Sequence, residues 1–325
     1  MSDFVRQYDI KHKVQRLYVH WDVSTQCNFK CTYCYAMKDY GEEWGRIDKW
    51  FKQKLIINAI GRSHLPIFLG LLGGEPTIHP KYDELVDLCY RAISKHEQGR
   101  LYITTNGSGD NDLFENHKFY DRLYFLFSFH PEFEGKYGKD FTRLIDNIKI
   151  ARSRGFRCKV NVMLHNDKKF WSRTHKFVDA IEQIEGLVIH PHFLYANGDA
   201  HVLEDYNRQF YDEFNRFKNY PNYFTFEKKS KESIVYNDYN IFNRELTGFK
   251  GWDCWNNNYE ISYDGKLHRV CFDESVDLVK EMYFFRDLKS VKPVTCPHNN
   301  CNCDGLLKIY KEHPSVKDIP HEKKV

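Results

Sequence analysis

The feature that most limits the fold of this chain is a regular alternation of apolar runs with amphipathic segments. Six runs with the composition of β-strands lie at 17–23, 67–72, 101–107, 123–130, 156–164 and 187–195. Amphipathic segments with helical periodicity alternate with them. This order predicts an α/β fold with a parallel sheet and helices packed outside it. Because crossovers are right-handed, we expect the sheet to curl into a partial (β/α)6 barrel that is TIM-like.

The helical segments carry their apolar residues on one stripe. In the segment after "HP" the stripe comprises Tyr82, Leu85, Val86, Cys89 and Ile93. Cys89 is therefore expected in the core, and so is Cys158, which alternates onto the apolar face of a strand. After the sixth run we expect one long amphipathic helix over 203–217 that ends before Pro221.

The alternation stops after residue 220. "YFTFEKK" and "YEISYDGKLHRVCF" have the character of antiparallel strands, and the second segment is expected to turn at Asp264–Gly265. We therefore expect a boundary near residue 220. It separates a barrel domain over 1–220 from a smaller cysteine-rich domain over 221–325.

The composition narrows the function classes. Lys and Arg number 48 against 45 Asp and Glu, and the two signs are intermixed, which argues against nucleic-acid binding through a broad basic face. No apolar run approaches the ~20 residues of a membrane span. The first residues lack the apolar stretch of a signal peptide, so we expect a cytoplasmic protein with no membrane partner. Thiols stay reduced there, so the ten cysteines do not predict a disulfide framework.

Most of the cysteines fall into two groups. The first cysteine cluster comprises Cys27, Cys31 and Cys34. The second cysteine cluster comprises Cys254, Cys271, Cys296, Cys301 and Cys303. Grouped cysteines in a reducing compartment indicate metal ligands.

The first cysteine cluster has the spacing C-x3-C-x2-C in a loop after the first strand. Zinc normally takes four ligands, and no fourth Cys or His stands at the usual spacing. A [4Fe–4S] cluster also takes four thiolates, so three leave one iron open. The spacing, the aromatic Tyr33 before the last cysteine, and "GGEP" at 73–76 after the second strand resemble the radical S-adenosylmethionine (radical SAM) enzymes over about residues 15–200.

The resemblance implies the chemistry. The first cysteine cluster holds a catalytic [4Fe–4S] cluster, and S-adenosyl-L-methionine chelates the open iron through its amine and carboxylate. One electron then cleaves a carbon–sulfur bond and yields a 5′-deoxyadenosyl radical that abstracts a substrate hydrogen. Backbone groups of Gly73, Gly74 and Glu75 are expected to meet the methionyl amine, since glycine permits close approach. Tyr33 and Pro76 belong to the same cofactor-binding segments.

Further cofactor contacts are expected at strand ends, each with an ordinary alternative. Ser128 lies where the family commonly touches the ribose, although a strand-capping serine fits equally well. Lys159 and Asn161 face the lumen if the intervening valines pack outward, and they then hold the cofactor carboxylate. Thr105 and Asn106 match a segment beside the cofactor, with a plain turn as the alternative.

Three histidines also lie near strand ends. His190 and His192 share one face, so a metal pair is conceivable, but substrate contact or an ordinary hydrogen-bonded role is favoured for these two and for His130. The sequence singles out no catalytic acid or base.

In the second cysteine cluster, Cys254 and Cys271 flank the expected hairpin. The arrangement resembles the C-terminal extension called SPASM, or its shortened form, twitch. Five residues separate Gly265 from Cys271 where that family usually has four, and five cysteines are present where a full SPASM domain has seven. The resemblance therefore implies one auxiliary [4Fe–4S] cluster, completed by two or three of the ligands Cys296, Cys301 and Cys303. A zinc site of the same residues is the alternative, and His298 is a substitute ligand.

These features predict a radical SAM oxidoreductase or a peptide- or small-molecule-modifying enzyme with an auxiliary cluster that relays electrons. Expected partners are the substrate, a one-electron donor such as flavodoxin or ferredoxin, and, for a peptide, a separate delivery protein. Only about sixteen residues precede the first expected strand, too few for a fused leader-binding domain. The alternative is a non-catalytic iron–sulfur or zinc scaffold that binds a partner or RNA.

Overall fold

The computed structural model describes residues 3–9, 16–34, 46–196, 204–221, 224–271, 274–301 and 309–318. The strands are β1 (Phe4–Asp9), β2 (Leu17–Ser24), β3 (Ile67–Gly73), β4 (Arg100–Thr105), β5 (Leu123–Phe129), β6 (Arg157–Leu164), β7 (Val188–Phe193), β8 (Phe224–Lys228), β9 (Ser233–Tyr236), β10 (Asp253–Cys254), β11 (Asn258–Ile261), β12 (Lys266–Arg269), β13 (Ser275–Asp277), β14 (Val294–Thr295) and β15 (Lys311–Glu312). The α-helices are α1 (Trp50–Ile60), α2 (Tyr82–Ile93), α3 (Asn111–Glu115), α4 (Thr142–Ser153), α5 (Trp171–Ile181), α6 (Arg208–Glu213), α7 (Asp238–Asn243) and α8 (Phe284–Asp287).

The chain divides into two compact units, each named here for its sheet. The parallel-sheet unit comprises Arg16–Gly198 and Asn258–Lys289. The antiparallel-sheet unit comprises Met1–Gln15, Asp199–Asn257 and Ser290–Val325. This division differs from the single boundary expected near residue 220, because backbone pairing joins segments far apart in sequence: β11 pairs with β2, and β1 pairs with β8 and β15.

The parallel-sheet unit contains the six strands expected from the alternation. They are β2 to β7, parallel and side by side in chain order. β11 adds a parallel strand beside β2, and the antiparallel strands β12 and β13 continue the sheet from there. β13 and β7 form the two edges of this sheet, so among the described strands the barrel is not closed.

The two faces of this sheet differ in character. On β5 the side chains of Phe125, Phe127 and Phe129 point towards the helices. The ring of Phe129 stacks on Phe177 of α5 at 3.9 Å between centroids, and Phe127 packs against Phe114 of α3. Strand residues alternate between faces, so the residues between these phenylalanines lie on the opposite, concave face. That face carries most of the polar strand residues.

The helices cover the apolar face as their periodicity predicts. The residues of α2 that are buried are Tyr82, Leu85, Val86, Cys89 and Ile93. This is the expected stripe, and Cys89 is fully buried within it. Cys158 is also buried, on the helix-facing side of β6. Both cysteines are therefore core residues, as expected.

The antiparallel-sheet unit has the strand order β14-β10-β15-β1-β8-β9. Arg6 of β1 links its two neighbours, since its Nη1 lies 2.5 Å from Glu227 Oε1 and its Nε lies 2.8 Å from Glu312 Oε1. β1 was not expected from the sequence. Its buried positions include Val5 and the polar Gln7, so it lacks the apolar run that marks the other strands.

The prediction of one long helix over 203–217 is wrong in one respect. α6 begins at Arg208, where Asn207 caps the N-terminus, and at Phe214 the chain changes to a 3-10 helix over Asn215–Asn219. The stripe persists because Phe210, Phe214 and Phe217 are all buried, at spacings of four and then three residues. Leu203 lies outside the described residues.

The hairpin expected near Asp264–Gly265 is confirmed by the antiparallel pairing of β11 with β12. None of the helices that the structure describes has the length and apolar character needed to cross a membrane.

Candidate active site

The carboxyl ends of β2 and β3 are locked together where the two sequence motifs lie. The N–H of Gly74 donates to Ser24 O at 2.7 Å, and the N–H of Glu75 donates to Gln26 O at 2.8 Å. A Cβ on Gly74 would lie 1.9 Å from Gln26 O, so no side chain fits there. Gly73 has a φ of 105°, which also favours glycine. The glycine pair thus fixes the loop that begins the first cysteine cluster.

Glu75 organises this edge of the sheet from a buried position. Its Oε1 accepts hydrogen bonds from Thr77 N, Thr77 Oγ1 and Thr105 Oγ1 at 3.2, 2.6 and 2.7 Å. Its Oε2 accepts from Asn106 N at 2.6 Å. Burial raises the pKa of Glu75, and these hydrogen bonds oppose that increase. The side chain therefore ties the GGEP segment to the end of β4.

A second link joins the cysteine loop to β4. Asn106 Nδ2 donates to Asn28 Oδ1 at 2.8 Å, and Asn28 Nδ2 donates to Ser108 Oγ at 2.8 Å. Thr105 and Asn106, which the sequence suggests as cofactor contacts, thus have side chains that hydrogen-bond within the protein. Their contact with a cofactor stays a prediction.

The thiols of the first cysteine cluster influence one another electrostatically. Burial raises the pKa of Cys27 to about 12, and the charges of Glu75 and Cys34 add to the effect. Burial also raises the pKa of Cys31, again with contributions from Cys34 and Cys27. Thiolates in this setting need a positive partner, and an iron–sulfur cluster provides one. Three cysteine thiols are the donor type that an iron–sulfur cluster takes, and the role of Cys27, Cys31 and Cys34 as its ligands stays a prediction.

None of the cysteines that the structure describes forms a disulfide bond. Within the described ranges, no group of three or more His, Cys, Asp or Glu side chains is arranged to hold a single metal ion. Cys303 lies outside those ranges.

The loop is anchored on its other side by the segment after β5. Thr32 donates to Glu132 through its N–H at 2.9 Å and through Oγ1 at 2.5 Å. His165 Nε2 lies 3.5 Å from Glu132 Oε1. Burial opposes ionisation of Glu132, but the hydrogen bonds from His165 and Thr32 prevail and lower its pKa.

His130 follows β5 directly and faces the cysteine loop. Its Nδ1 lies 3.3 Å from Cys31 Sγ and 2.9 Å from Tyr33 Oη. Burial lowers the pKa of His130 to about 4, so the imidazole is neutral at physiological pH. Burial likewise raises the pKa of Tyr33, which keeps its hydroxyl protonated.

On the concave face, Ser128, Asn161 and His190 occupy one row across β5, β6 and β7. All three side chains are buried. The Oδ1 of Asn161 has no hydrogen-bond partner among the described residues, so this buried acceptor is available to a ligand. Lys159 also lies on this face, as the alternation on β6 predicts, and His192 is two residues beyond His190 on β7.

Sequence reasoning missed much of the support around the cysteines. Glu132, His165, Asn28 and Ser108 were not singled out, and His130 was noted only as a histidine near a strand end. One signal was available: "SFHPE" ends a strand at the carboxyl edge of the sheet, where side chains from neighbouring loops converge.

Of the second cysteine cluster, Cys254, Cys296 and Cys301 belong to the antiparallel-sheet unit, and Cys271 belongs to the parallel-sheet unit. Cys296 N donates to Trp252 O and Cys301 N donates to Thr247 O, both at 2.8 Å. These bonds fix the backbone of both cysteines near the start of β10.

Cys254 lies opposite Lys311 in the pairing of β10 with β15. Lys311 is fully buried, and its Nζ donates to Gln7 Oε1 and to Ile309 O, both at 3.1 Å. Directly opposed residues share a face of an antiparallel sheet, so a buried cation accompanies the Cys254 thiol.

Comparison with known proteins connects this geometry to a family. Residues 21–174 match the family model of the Radical SAM superfamily. An S-adenosylmethionine-dependent nucleotide dehydratase of Selenomonas ruminantium is 32% identical over 91 residues, which cover 28% of this chain and 30% of that relative. The match therefore spans less than a third of the relative's length.

Two solved structures share the fold. Streptococcus suis SuiB bound to the precursor peptide SuiA is 15% identical, with a TM-score of 0.51 over 85% of this chain and 68% of SuiB. The protein anSMEcpe with bound AdoMet is also 15% identical, with a TM-score of 0.51 over 85% of this chain and 80% of that protein. Identity this low shows the fold alone. With the family match, these findings support the radical SAM superfamily and chemistry that depends on S-adenosylmethionine.

Proposed function

We propose that this chain is a radical SAM enzyme that binds a [4Fe–4S] cluster through Cys27, Cys31 and Cys34. The observation that carries the proposal is the joint between the cysteine loop and the GGEP segment, where main-chain bonds hold the two motifs together at the carboxyl edge of a parallel sheet. When bound, the cluster supplies the electron that cleaves S-adenosylmethionine to a 5′-deoxyadenosyl radical, which abstracts a substrate hydrogen. The similarity to the Radical SAM superfamily and to an S-adenosylmethionine-dependent relative does not favour the alternative, a non-catalytic scaffold.

The chain's own residues position the cofactor. The methionyl amine would donate hydrogen bonds, so its partners in the GGEP segment would be carbonyl oxygens. The N–H groups of Gly74 and Glu75 are engaged with the residues that lead into the cysteine loop. The unpartnered Oδ1 of Asn161 offers a further acceptor, with Ser128 beside it on β5. Tyr33 and Pro76 belong to the two segments that are proposed to bind the cofactor. The apolar face of the sheet keeps water from the other side.

The substrate class is proposed from what two similar proteins bind or act on. SuiB is bound to a precursor peptide, and the curated relative is a nucleotide dehydratase. We propose a peptide or a small molecule as the substrate, in a reducing compartment, the cytoplasm. A one-electron donor such as flavodoxin or ferredoxin is needed, and a separate delivery protein in the case of a peptide.

We further propose an auxiliary [4Fe–4S] cluster of the SPASM or twitch type, formed by four of the five residues in the second cysteine cluster. The buried Lys311 opposite Cys254 supports this reading, because a nearby cation favours a thiolate over a thiol. A fully ligated cluster has no open iron for the substrate, so its role is to take the electron released when the substrate radical is oxidised.

Iron content tests both clusters. Anaerobically reconstituted wild-type protein is expected to bind about eight irons per chain, since each [4Fe–4S] cluster holds four. The triple variant of Cys27, Cys31 and Cys34 to alanine loses about half of them, and so does Cys254→Ala. Cys89→Ala is the matched control, because Cys89 lies in the core and the iron content stays unchanged.

The outcomes separate the two proposals. If the triple variant keeps all of the iron, the three cysteines of the first cysteine cluster do not bind an iron–sulfur cluster. If wild type holds about four irons and one zinc, the auxiliary cluster is replaced by the zinc alternative. Among Cys296, Cys301 and Cys303, changed singly to alanine, one variant is expected to keep its full iron content, because five cysteines serve four positions.

A further inference from the structure

His130 contacts Cys31 and Tyr33 through its ring nitrogen, and this polar contact is not part of the hydrophobic core. Its ring lies between the first cysteine cluster and Tyr33, with Nδ1 at 3.3 Å from Cys31 Sγ and 2.9 Å from Tyr33 Oη. The rings of Tyr33 and His130 lie nearly parallel, and Phe29 meets the imidazole edge to face at 5.8 Å. The imidazole is thus held in one orientation against the cysteine.

The backbone of His130 is fixed as well. Its N–H donates to Tyr137 Oη at 3.2 Å, and Tyr137 Oη donates to Ser128 O at 3.3 Å. Tyr137 is fully buried and packs against Phe29 and Phe129. His130 and Cys31 are therefore held from two directions, which limits drift of the contact.

The chemistry of the contact follows from the ligand role proposed for Cys31. A cysteine bound to iron is a thiolate, which accepts hydrogen bonds and donates none. Nδ1 of His130 must then carry its hydrogen in order to bond the sulfur. A protonated Nδ1 cannot accept from the Tyr33 hydroxyl, and that hydroxyl hydrogen-bonds to the side chain of Cys31 as a second donor.

We propose that His130 and Tyr33 form a donor pair that supports the Cys31 thiolate and raises the reduction potential of the catalytic cluster. The inference rests on the proposed function. Donors directed at a cluster sulfur offset the extra negative charge of the reduced state, and so they make reduction easier. His130 and Tyr33 act through Cys31 and are positioning residues.

The three cysteines are not equivalent in this respect. Cys27 receives a backbone N–H from Phe29 at 3.4 Å, a longer contact that no side-chain substitution removes. Cys31 is the buried member of the group, and Cys27 and Cys34 are partly exposed. A hydrogen bond to a sulfur shielded from water has more effect on its charge than one in water. The side-chain donors at Cys31 therefore act on a sulfur that is shielded from water.

The test is the midpoint potential of the cluster signal that responds to S-adenosylmethionine, followed by electron paramagnetic resonance in an anaerobic redox titration. His130→Leu and Tyr33→Phe are each expected to lower the equilibrium constant for reduction by about tenfold, which is 59 mV for a one-electron couple. His130→Asn places an amide donor near the position of Nδ1 and is expected to restore most of the wild-type potential. Tyr90→Phe is the control, because the Tyr90 hydroxyl donates to Asp121 and not to a cysteine.

The result that overturns the proposal is a His130→Leu potential equal to that of wild type and His130→Asn, measured on protein with equal iron content. If His130→Leu takes up no cluster, Tyr33→Phe decides: a lowered potential supports the donor pair and an unchanged one contradicts it. If wild type itself takes up no iron, the proposed function fails, which is a different result from a cluster whose potential ignores these residues.

Discussion

At the scale of single residues, the contacts of the GGEP segment are contacts with other parts of the protein. The N–H groups of Gly74 and Glu75 hold the loop of the first cysteine cluster, and the carboxylate of Glu75 holds the end of β4. The close approach that we expected from the glycines is an approach to the chain's own backbone. A change at one of these positions therefore acts on the cysteine loop first.

Gly74→Ala is expected to destabilise the protein and to weaken cluster binding. The added Cβ falls 1.9 Å from Gln26 O, so the loop must move, and we expect a loss of about 1–3 kcal/mol in the free energy of unfolding. Urea unfolding followed by circular dichroism measures this loss. Gly135→Ala is the matched control, because a Cβ there meets no atom within 4 Å. Equal stability of the two variants would contradict this role for Gly74.

At the scale of elements, hydrophobic periodicity predicts the strands and helices that bury one apolar face. The six parallel strands and the stripe of α2 followed from alternation because a buried face must be apolar. β1 could not be predicted in this way, because its sequence is polar. Its pairing with β8 and β15, which lie far along the chain, makes it a strand. The same limit applies to the site: the cysteine spacing predicts three ligands, but the support from His130 and Glu132 depends on how loops meet after folding.

His117 contacts both α2 and β5, and its protonation makes the stability of the protein depend on pH. His117 Nε2 accepts from Tyr82 Oη of α2 at 3.0 Å, His117 Nδ1 lies 2.8 Å from Lys118 O, and the ring packs against Phe125 of β5. Burial lowers the pKa of His117 below its ordinary value of 6.5, so the folded state favours the neutral ring. Below that pH the unfolded chain binds more protons than the folded one, and stability falls as the pH falls.

This group contributes a slope only between its folded-state pKa and 6.5, and the slope stays below about 1.4 kcal/mol per pH unit, the limit for one proton. Urea midpoints between pH 8 and 5 measure it, with wild type compared with His117→Gln. The variant is less stable at pH 8 and loses less stability on acidification. If both proteins lose stability in parallel, His117 does not carry the effect.

At the scale of the whole molecule, the chain supplies two sets of cysteines from segments that lie far apart in sequence. The first set lies in one loop of the parallel-sheet unit, and the second is drawn from both units. The buried Lys311 lies opposite Cys254 in the antiparallel-sheet unit, whereas the motifs within the family match belong to the parallel-sheet unit. Under the proposed function, the first set binds the cluster that generates the radical and the second set binds the cluster that recovers an electron.

The most direct test of the central claim is the release of 5′-deoxyadenosine. Reconstituted protein is incubated anaerobically with S-adenosylmethionine and dithionite, and the products are separated and identified by mass. We expect 5′-deoxyadenosine and methionine in equal amounts from wild type and from Cys89→Ala, and neither product from the triple variant of Cys27, Cys31 and Cys34 to alanine. The absence of 5′-deoxyadenosine from wild-type protein that carries its full iron content would contradict the account.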